Sequence, residues 1–445
     1  MINSDFKAAV RSILRNKIPS LISILGLGIG LGCIIILLAL IIHEKSFDKS
    51  IPGHRNVYRI VFGSSGQTYS ALAENMAIEF PEVKGFFRYF QPFSIQLKTP
   101  ANEVVSEQNF GFADSSIFRI IGIKFVSGTF AKSATEVAVS DEVAMKYFAN
   151  LSPIGEVIRV RFPDGFLNLI ISGVFRSFPS NSTLNPSFLT DIRMSEKMLL
   201  QFQRTLGEYA FSENRSSGWN SPDFLTYVVL DKSADPGELS VKMEKYREFI
   251  PDERKDSLSF KLQPVTEIYL GSGDITGSLY LRKGNREELK YYEIISVLIL
   301  LISIANYVLL ARASVSERTH ELGTRKVFGA SQTKIRRLIL LESGIIVLLS
   351  LIPASFVIDI GLSFVNTTLN KTLTSQVFLS PVLWLLLLAV VLLTGFLAGW
   401  IIGLNYSRIP ALKLISGKLN NPSRSQKWNY SFLVLHFTIY MMLVS

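Results

Sequence analysis

Residues 316–337 read SERTHELGTRKVFGASQTKIRR and form a basic link between two apolar runs, at residues 294–311 and 338–358. The link holds six Lys or Arg residues and two acids. Each apolar run is close to the roughly 20 residues that a membrane-spanning helix needs, and basic connections between such helices stay on the cytoplasmic side. The stretch therefore predicts two spanning helices joined by a cytoplasmic segment.

Two further apolar runs, at residues 18–42 and 381–404, resemble these in length and composition. A fifth run begins at residue 430 and reaches residue 445. The first run is too long for the apolar part of a cleavable signal peptide, so we expect it to remain as an anchor. The chain is 48% hydrophobic, and the concentration of its apolar residues in membrane-length runs predicts four transmembrane helices and the start of a fifth.

Charge divides the chain into regions. Residues 44–290 carry a net charge of −1, residues 1–43 carry +3 and residues 291–445 carry +8. By the positive-inside rule, the N-terminus is cytoplasmic and the large region after the first span is outside. Because the bases are dispersed through links that flank membrane spans, they do not predict a nucleic-acid partner.

These boundaries predict an α-helical membrane protein with a large α+β extracytoplasmic domain. We expect, in chain order, a cytoplasmic amphipathic helix, transmembrane helix 1, the extracytoplasmic domain, transmembrane helix 2, a cytoplasmic helix, transmembrane helix 3, a short outer loop, transmembrane helix 4, a cytoplasmic linker and the start of transmembrane helix 5. Their bounds are residues 1–17, 18–43, 44–289, 290–311, 312–337, 338–360, 361–380, 381–404, 405–429 and 430–445.

The first helix combines two kinds of residue at helical spacing. The apolar residues Phe6, Val10, Ile13 and Leu14 recur at helical spacing, and the basic residues Lys7, Arg11 and Arg15 fall on another face. Such a pattern is typical of a helix that lies in the headgroup layer. The same bases are also compatible with a cluster that only sets the topology.

The first span carries a glycine every second residue, at Gly26, Gly28, Gly30 and Gly32. They form two overlapping G-x-x-x-G spacings, which let a second helix approach closely inside a membrane. The only cysteine, Cys33, lies in the same span, so we expect no disulfide in the outer domain.

The outer region mixes strand and helix patterns without regular alternation, which predicts an α+β domain, in two subdomains. Pro163, Asp164 and Gly165 predict the turn of a hairpin, and Ser140 predicts a helix N-cap. The predicted strands are residues 57–62, 136–140, 157–162, 167–175 and 224–230, and the predicted helices are residues 71–80, 141–148 and 236–249.

No catalytic constellation is recognisable in this region. Between residues 44 and 290, His54 is the only histidine, there is no cysteine, and the acids lack metal-ligand spacing. We therefore expect no catalytic residue, no metal and no cofactor bound by this chain. The domain is better interpreted as a binding or force-transmitting body.

The basic link has the local features of a short helix. Glu321 and Arg325 are four residues apart and predict an ion pair. Gly323 predicts a helix break, Gly329 a left-handed C-cap and Ser331 the N-cap of the next helix. From this pattern alone, a docking helix and an ordinary positive-inside loop are equally supported.

Glu342, near the start of the third span, is an ionisable residue in an apolar setting. Such a residue is a functional hypothesis by default. The simpler interpretation is a local ion pair with Arg337 at the membrane surface. In the same span, Pro353 predicts a kink.

Residues 321–331, ELGTRKVFGAS, closely resemble the E-[IL]-G-x-R-[KR]-x-x-G-A-[ST] signature of FtsX-like permeases, the membrane subunits of ABC systems that include the macrolide exporter MacB and the lipoprotein-release permeases. Several other segments resemble the same family. They are residues 14–17 (LRNK), 44–60 (EKSFDKSIPGHRNVYRI), 146–155 (KYFANLSPIG), 173–182 (GVFRSFPSNS) and 395–399 (GFLAG). The outer region resembles the periplasmic core domain of the MacB type.

The resemblance implies that the helix between the second and third spans docks on an ATPase subunit. The docking positions carried over are Glu321, Leu322, Gly323, Arg325, Lys326, Val327, Gly329 and Ala330. Residues 410–414, PALKL, resemble a segment that follows the fourth span, which implies a second contact through Pro410 and Leu414. Leu412 stands where that segment usually has an acid, and residues 400–404 also depart from the family pattern, so the second contact is less well supported.

The chain lacks the G-x-x-x-x-G-K-[ST] phosphate loop, and its one Gly-Lys pair, Gly417-Lys418, has no glycine at the required upstream position. Any ATP and Mg²⁺ would therefore belong to a partner ATPase, which the resemblance implies is a dimer. The other expected partners are the lipid bilayer, a periplasmic partner or substrate, and a second permease half or copy. The bases before residue 430 are similar to those before the first span, so a second copy of the same arrangement is predicted to begin there. Because long members of the family carry two such halves, the resemblance implies that this chain is the N-terminal half of a two-repeat permease.

The resemblance implies a permease subunit that couples ATP hydrolysis on a separate subunit to movements of the periplasmic domain, for export, extraction or release of a substrate. This mode is called mechanotransmission in the MacB branch. The alternative is a non-transporting signalling protein that regulates a periplasmic partner such as a cell-wall hydrolase. The residues do not distinguish among lipoprotein, peptide, antibiotic and lipid as substrates.

Overall fold

A computed structural model describes residues 2–92, 94–99, 103–149, 152–162, 165–195, 199, 218–219, 222–250, 259–277, 280–368, 373 and 378–415. The chain divides into two compact units, one formed by residues 1–45 and 287–445 and the other by residues 46–286. The predicted fifth span, the rest of the linker after residue 415, and the Pro163-Asp164 turn lie outside the described residues.

The first unit is helical. Its helices are α1 (Ile2–Arg15), α2 (Lys17–Lys45), α8 (Arg286–Glu317), α9 (Thr319–Val327), α10 (Gln332–Thr368), α11 (Pro381–Ser407) and α12 (Ala411–Ile415). Among the described residues, four of these helices, α2, α8, α10 and α11, are long and apolar enough to cross a membrane. They extend beyond the predicted spans because the helical hydrogen-bond ladder continues past the apolar core into polar residues.

Among its described residues, the second unit contains the sheet and five α-helices. The helices are α3 (Ser70–Glu79), α4 (Ser116–Ile121), α5 (Asp141–Phe148), α6 (Pro236–Met243) and α7 (Val265–Gly271). The strands are β1 (Val57–Phe62), β2 (Gln67–Thr68), β3 (Val83–Phe90), β4 (Ile95–Lys98), β5 (Val104–Glu107), β6 (Phe110–Ala113), β7 (Phe125–Gly128), β8 (Glu136–Ser140), β9 (Val157–Phe162), β10 (Gly165–Phe175), β11 (Phe188–Asp191), β12 (Phe224–Leu230) and β13 (Phe260–Pro264).

These strands form one mixed sheet in the order β13-β1-β12-β3-β6-β11-β8-β10-β9-β4-β5, with β2 on β12 and β7 on β10. The pairs β6–β11 and β8–β10 are parallel, and the other paired strands are antiparallel. Two subdomains were predicted. The structure has a single sheet because β11 pairs with β6 on one side and with β8 on the other.

Helices cover both faces of the sheet around β12. Tyr227 packs with the residues of α4 and α7, whereas the adjacent Val228 packs with those of α3 and α6. Because successive side chains of a strand point to opposite faces, both faces of β12 are buried. This explains the nearly continuous apolar sequence of that strand.

The predicted local signals of this domain are largely confirmed. Ser140 caps α5, since its Oγ accepts a hydrogen bond from the Val143 N–H at 3.3 Å. Strands β9 and β10 pair antiparallel, with Gly165 opposite Phe162. One helix was predicted over residues 236–249. Instead, the α-helix ends at Met243 and Glu244–Phe249 form a 3₁₀-helix, a common way to tighten the end of a helix.

Candidate functional site

Helix α9 occupies the basic link, and a glycine closes it. Gly329 has a φ of 86°, its N–H donates to the Lys326 carbonyl at 3.0 Å, and the Ala330 N–H donates to the Arg325 carbonyl at 2.9 Å. This pair of bonds is a Schellman motif, which requires a left-handed residue after the helix. Open space surrounds the position that a Cβ of residue 329 would take, so backbone conformation is what favours glycine there. The predicted cap is confirmed.

The next helix starts where predicted. The Ser331 Oγ accepts a hydrogen bond from the Lys334 N–H at 3.3 Å, as an N-cap residue does. Only the residues of the Schellman motif and Ser331 separate α9 from α10. The short connection fixes the end of α9 to the start of a spanning helix.

Gly323 does not break the helix, contrary to the prediction. Helix α9 runs through it from Thr319 to Val327, and a Cβ at position 323 would lie 2.6 Å from the Ile415 Cγ1 and 3.1 Å from the Leu414 Cβ. Glycine therefore lets α12 pack directly against α9. Leu322 is also buried, with an exposed fraction of 3%, so Leu322 and Gly323 are placed to hold the helix within this chain.

Lys326 joins α9 to the end of the fourth spanning helix. Its Nζ donates to the carbonyl oxygens of Ser407, at 2.8 Å, and Ile409. These are carbonyls at the end of α11, where helices lack partners and favour a cation. Burial lowers the pKa of the Lys326 ammonium. The side chain thus fixes α9 against α11 and is largely used within the chain.

The far end of α9 presents apolar surface. Val327 is 65% exposed, Phe328 is 90% exposed, and Leu412 of the adjoining α12 is 84% exposed. Within α12, Leu414 is fully buried and Pro410 precedes the helix as an exposed residue. Of the predicted second contact, Pro410 is accessible and Leu414 belongs to the core.

A buried ion pair holds the opposite end of α9. The Nη1 of Arg318, the residue before α9, lies 3.3 Å from both carboxylate oxygens of Glu342, and its Nε lies 3.5 Å from the Glu321 Oε2. The predicted pair between Glu342 and Arg337 is wrong, since Arg337 faces Asp5 at 3.7 Å. The buried Glu342 pairs with the equally buried Arg318 because an exposed base could not compensate its desolvation.

Glu321 lies at the centre of this charged end. It accepts from the Arg325 Nη2 at 3.0 Å, which confirms the predicted i, i+4 pair, and lies 3.9 Å from the Arg15 Nη1 of α1. Burial alone would raise the pKa of the Glu321 carboxyl, but Arg318 and Arg325 outweigh it and hold the pKa below its usual value of 4.5. Glu321 is therefore ionised at neutral pH.

A cavity of about 30 Å³, lined by both polar and apolar residues, adjoins the Arg318–Glu342 pair. Its volume accommodates one or two water molecules, which lowers the cost of burying charge so close to an apolar bundle. The polar residues that line it, besides the ion pair, are Ser12, Asn16, Ser20, Ser23, Tyr307, Ser314 and Ser343.

The glycines of α2 lie at two helix contacts. A Cβ at Gly26 would lie 3.2 Å from Asn306 of α8, and one at Gly30 would overlap Ser303 of the same helix. On the other side, a Cβ at Gly32 would lie 2.7 Å from Val357 of α10, and one at Gly28 would overlap Pro353. Each i, i+4 glycine pair thus lets one neighbouring helix approach.

Within the described residues, no group of three or more His, Cys, Asp or Glu side chains is arranged to hold a metal ion. At this site, charged groups fix one end of α9 and apolar groups are exposed at the other. Sequence reasoning missed the role of Arg318. The signal was Glu342 itself, since a carboxylate inside a span needs a buried base, but spacing does not choose between Arg318 and Arg337.

Two family models match the sequence. The model of the MacB-like periplasmic core domain matches residues 20–246, and that of the FtsX-like permease C-terminal region matches residues 293–411. An ABC transporter permease of Bacillus subtilis, YknZ, is 24% identical over 425 residues, which cover 92% of this chain and 96% of YknZ.

Two solved structures are also similar. A domain of a permease protein from Porphyromonas gingivalis is 16% identical, with a TM-score of 0.40, and the match covers 48% of this chain and 92% of that domain. The periplasmic region of MacB from Actinobacillus actinomycetemcomitans is 13% identical, with a TM-score of 0.33, covering 49% of this chain and 92% of that region. The sequence models carry the conclusion: this chain belongs to the FtsX-like, MacB-type family of ABC transporter permeases, membrane proteins with an extracytoplasmic domain and an ATPase partner.

Proposed function

We propose that this permease docks a dimeric ATPase on α9 and transmits ATP-driven closure to its extracytoplasmic domain, for export, extraction or release of a substrate. ATP and Mg²⁺ bind on the ATPase. The N-terminus and α9 are cytoplasmic, the membrane is the inner membrane, and residues 46–286 are periplasmic. The clustering of bases in the links on the α9 side supports this orientation.

The exposed end of α9 carries the proposal. Phe328 is a large aromatic residue with 90% of its surface exposed, at the end of a helix whose other side is fixed by Arg318, Leu322 and Lys326. Exposed aromatic anchors on rigid supports are typical of the centre of protein interfaces. Of the docking positions carried over from the family, Arg325, Val327 and Gly329 are accessible with Phe328.

The helix that connects α9 to the large domain supports the proposed transmission of movement. Helix α8 runs without interruption from Arg286, where the chain leaves the large domain, to Glu317, and Arg318 alone separates it from α9. At 1.5 Å per residue this helix is about 48 Å long. Near its start, Glu293 pairs with Lys45 of α2 at 2.5 Å. A displacement of α9 would therefore reach the large domain through one continuous helix.

The test is binding of candidate ABC ATPases, measured on the purified full chain in nanodiscs. We expect Phe328→Ala to weaken binding about tenfold, as truncation of an interface anchor does, and to leave thermal stability unchanged because the side chain has few contacts in the free chain. Phe356→Ala is the matched control, since Phe356 is 65% exposed on the spanning helix α10.

Equal ATPase affinity of the Phe328→Ala and Phe356→Ala proteins would exclude docking at this end of α9. Loss of ATPase binding in both variants would show that the effect is not specific to α9. A third measurement, ATP hydrolysis by the bound ATPase, distinguishes docking from transmission. A variant that binds the ATPase normally but no longer alters its rate of ATP hydrolysis would be defective in a step after docking.

A further inference from the structure

Helix α1 has three distinct faces. Its first face is turned inward: Asp5, Ala9 and Ser12 are buried. Asp5 pairs with Arg337 of α10 at 3.7 Å, and Ser12 hydrogen bonds to Glu342 of the same helix. These residues follow each other at spacings of four and three, so they form one row along the helix. This face attaches α1 to the helical bundle.

The second and third faces are outside the bundle. Phe6 and Leu14 are 48% and 62% exposed, and with Val10 they form an apolar row at a spacing of four. Lys7, Arg11 and Arg15, each one residue further on, form a parallel basic row that is also exposed. An exposed apolar row beside an exposed basic row is the pattern of a helix at a membrane surface.

The apolar row continues into a surface that must face lipid. After α1 the chain bends at Asn16 and enters the spanning helix α2, whose Pro19 has no N–H to continue the hydrogen bonds of α1. On α2, Ile18 is 73% exposed and Leu21 is 56% exposed. Because a spanning helix exposes such residues to acyl chains, the apolar row of α1 starts at the same lipid surface.

We propose that α1 is a binding surface for anionic phospholipids, with Phe6, Val10 and Leu14 inserted at the acyl boundary and Lys7, Arg11 and Arg15 on the phosphate groups. The charges are complementary, and the apolar row is followed directly along the chain by exposed apolar residues of the spanning helix α2. The proposal does not depend on ATPase docking, since it concerns only α1 and the bilayer.

The carboxylate of Glu321, which lies beside the basic row, leaves Arg15 accessible. The Arg15 Nη1 lies 3.9 Å from the Glu321 Oε2, and the Arg15 side chain is 78% exposed. Such a pair contributes little, so a lipid phosphate competes for the guanidinium. Each base near an anionic surface strengthens binding roughly fivefold, so the three bases together contribute on the order of 100-fold.

The experiment measures the depth of α1 in nanodiscs. The full chain carries Cys33→Ser to remove its only native thiol and Leu14→Cys to hold a nitroxide, whose accessibility to oxygen and to an aqueous nickel chelate reports depth. Discs contain phosphatidylcholine alone or phosphatidylcholine mixed with phosphatidylglycerol. We expect the nitroxide to lie deeper in the anionic discs.

In the anionic discs, a triple charge reversal, Lys7→Glu with Arg11→Glu and Arg15→Glu, should weaken the binding of α1 to the membrane by about 100-fold or more. The nitroxide should then become less accessible to oxygen and more accessible to the nickel chelate. The matched control exchanges the bases, Lys7→Arg with Arg11→Lys and Arg15→Lys, and should behave as the unreversed protein does. If the nitroxide of the protein without charge reversal had the same depth in both lipids, this result alone would overturn the proposal. A charge-reversed helix as deep as the control would overturn it as well.

Discussion

The two ends of α9 are stabilised in opposite ways. At its start, Arg318 is held by two carboxylates, Glu342 and Glu321, inside the chain. At its end, Val327 and Phe328 are apolar and exposed. One end of the same nine-residue helix is thus charged and buried, and the other is apolar and exposed.

This difference separates positioning from contact. Buried charges tolerate little movement, because separating them leaves each one desolvated and unpaired. Exposed apolar groups make few contacts in the free chain and gain by burial against a partner. The charged end is therefore suited to fix the helix, and the apolar end is suited to bind. The following predictions substitute residues of the link one group at a time, from the largest expected effect to the smallest.

Arg318→Met should lower the free energy of unfolding by about 3–5 kcal/mol, because it leaves the Glu342 carboxylate buried without its base. Replacing both partners, Arg318→Met with Glu342→Leu, should restore most of this loss, since an apolar pair of similar size needs no compensation. The measurement is denaturant unfolding in mixed micelles.

Arg337→Met serves as the control for that comparison. The Arg337 side chain is 44% exposed and lies 3.7 Å from the buried Asp5, so water and the longer distance weaken this pair and its loss should cost less than the loss of Arg318. A larger loss for Arg337→Met than for Arg318→Met would contradict the assignment of the buried pair.

Two glycines of the link should respond differently to substitution. Gly323→Leu should destabilise the chain by about 1–3 kcal/mol, because the new side chain overlaps α12. Gly329→Ala should cost about 1 kcal/mol, from the left-handed backbone alone. Hydrogen exchange of residues 411–415 distinguishes the causes. It should rise in Gly323→Leu and stay unchanged in Gly329→Ala, and equal exchange in both variants would refute the close packing of α12.

The smallest effect concerns Glu321 and pH. Because its pKa is lowered in the fold, ionised Glu321 stabilises the chain above pH 4.5, and this contribution is lost as the pH falls through the lowered pKa. Glu321→Gln should cost about 0.5 kcal/mol at pH 7, since the carboxylate is partly exposed. The difference between the two proteins should disappear in acid. A cost that grows on acidification would contradict the sign of the pKa shift.

Local features of the link were predictable from the residues. The Gly329 cap, the Ser331 cap and the Glu321–Arg325 pair all depend on partners within five positions in the chain. Gly323 was misjudged because a helical glycine destabilises an isolated helix, and only the presence of α12 shows why glycine is required there. The same applies to α1, whose buried first face is recognised only from its contacts with α10.

By itself, the sequence determined four membrane-length helices, the placement of bases at their ends, an α+β domain between the first two and the motif of the link. Apolar length, charge bias and capping act over a few residues and need no knowledge of distant contacts. Tertiary structure alone decided that Glu342 meets Arg318, that α12 packs on Gly323 and that one sheet runs through the outer domain. These outcomes depend on which buried groups from distant segments satisfy each other, a competition that residue spacing does not resolve.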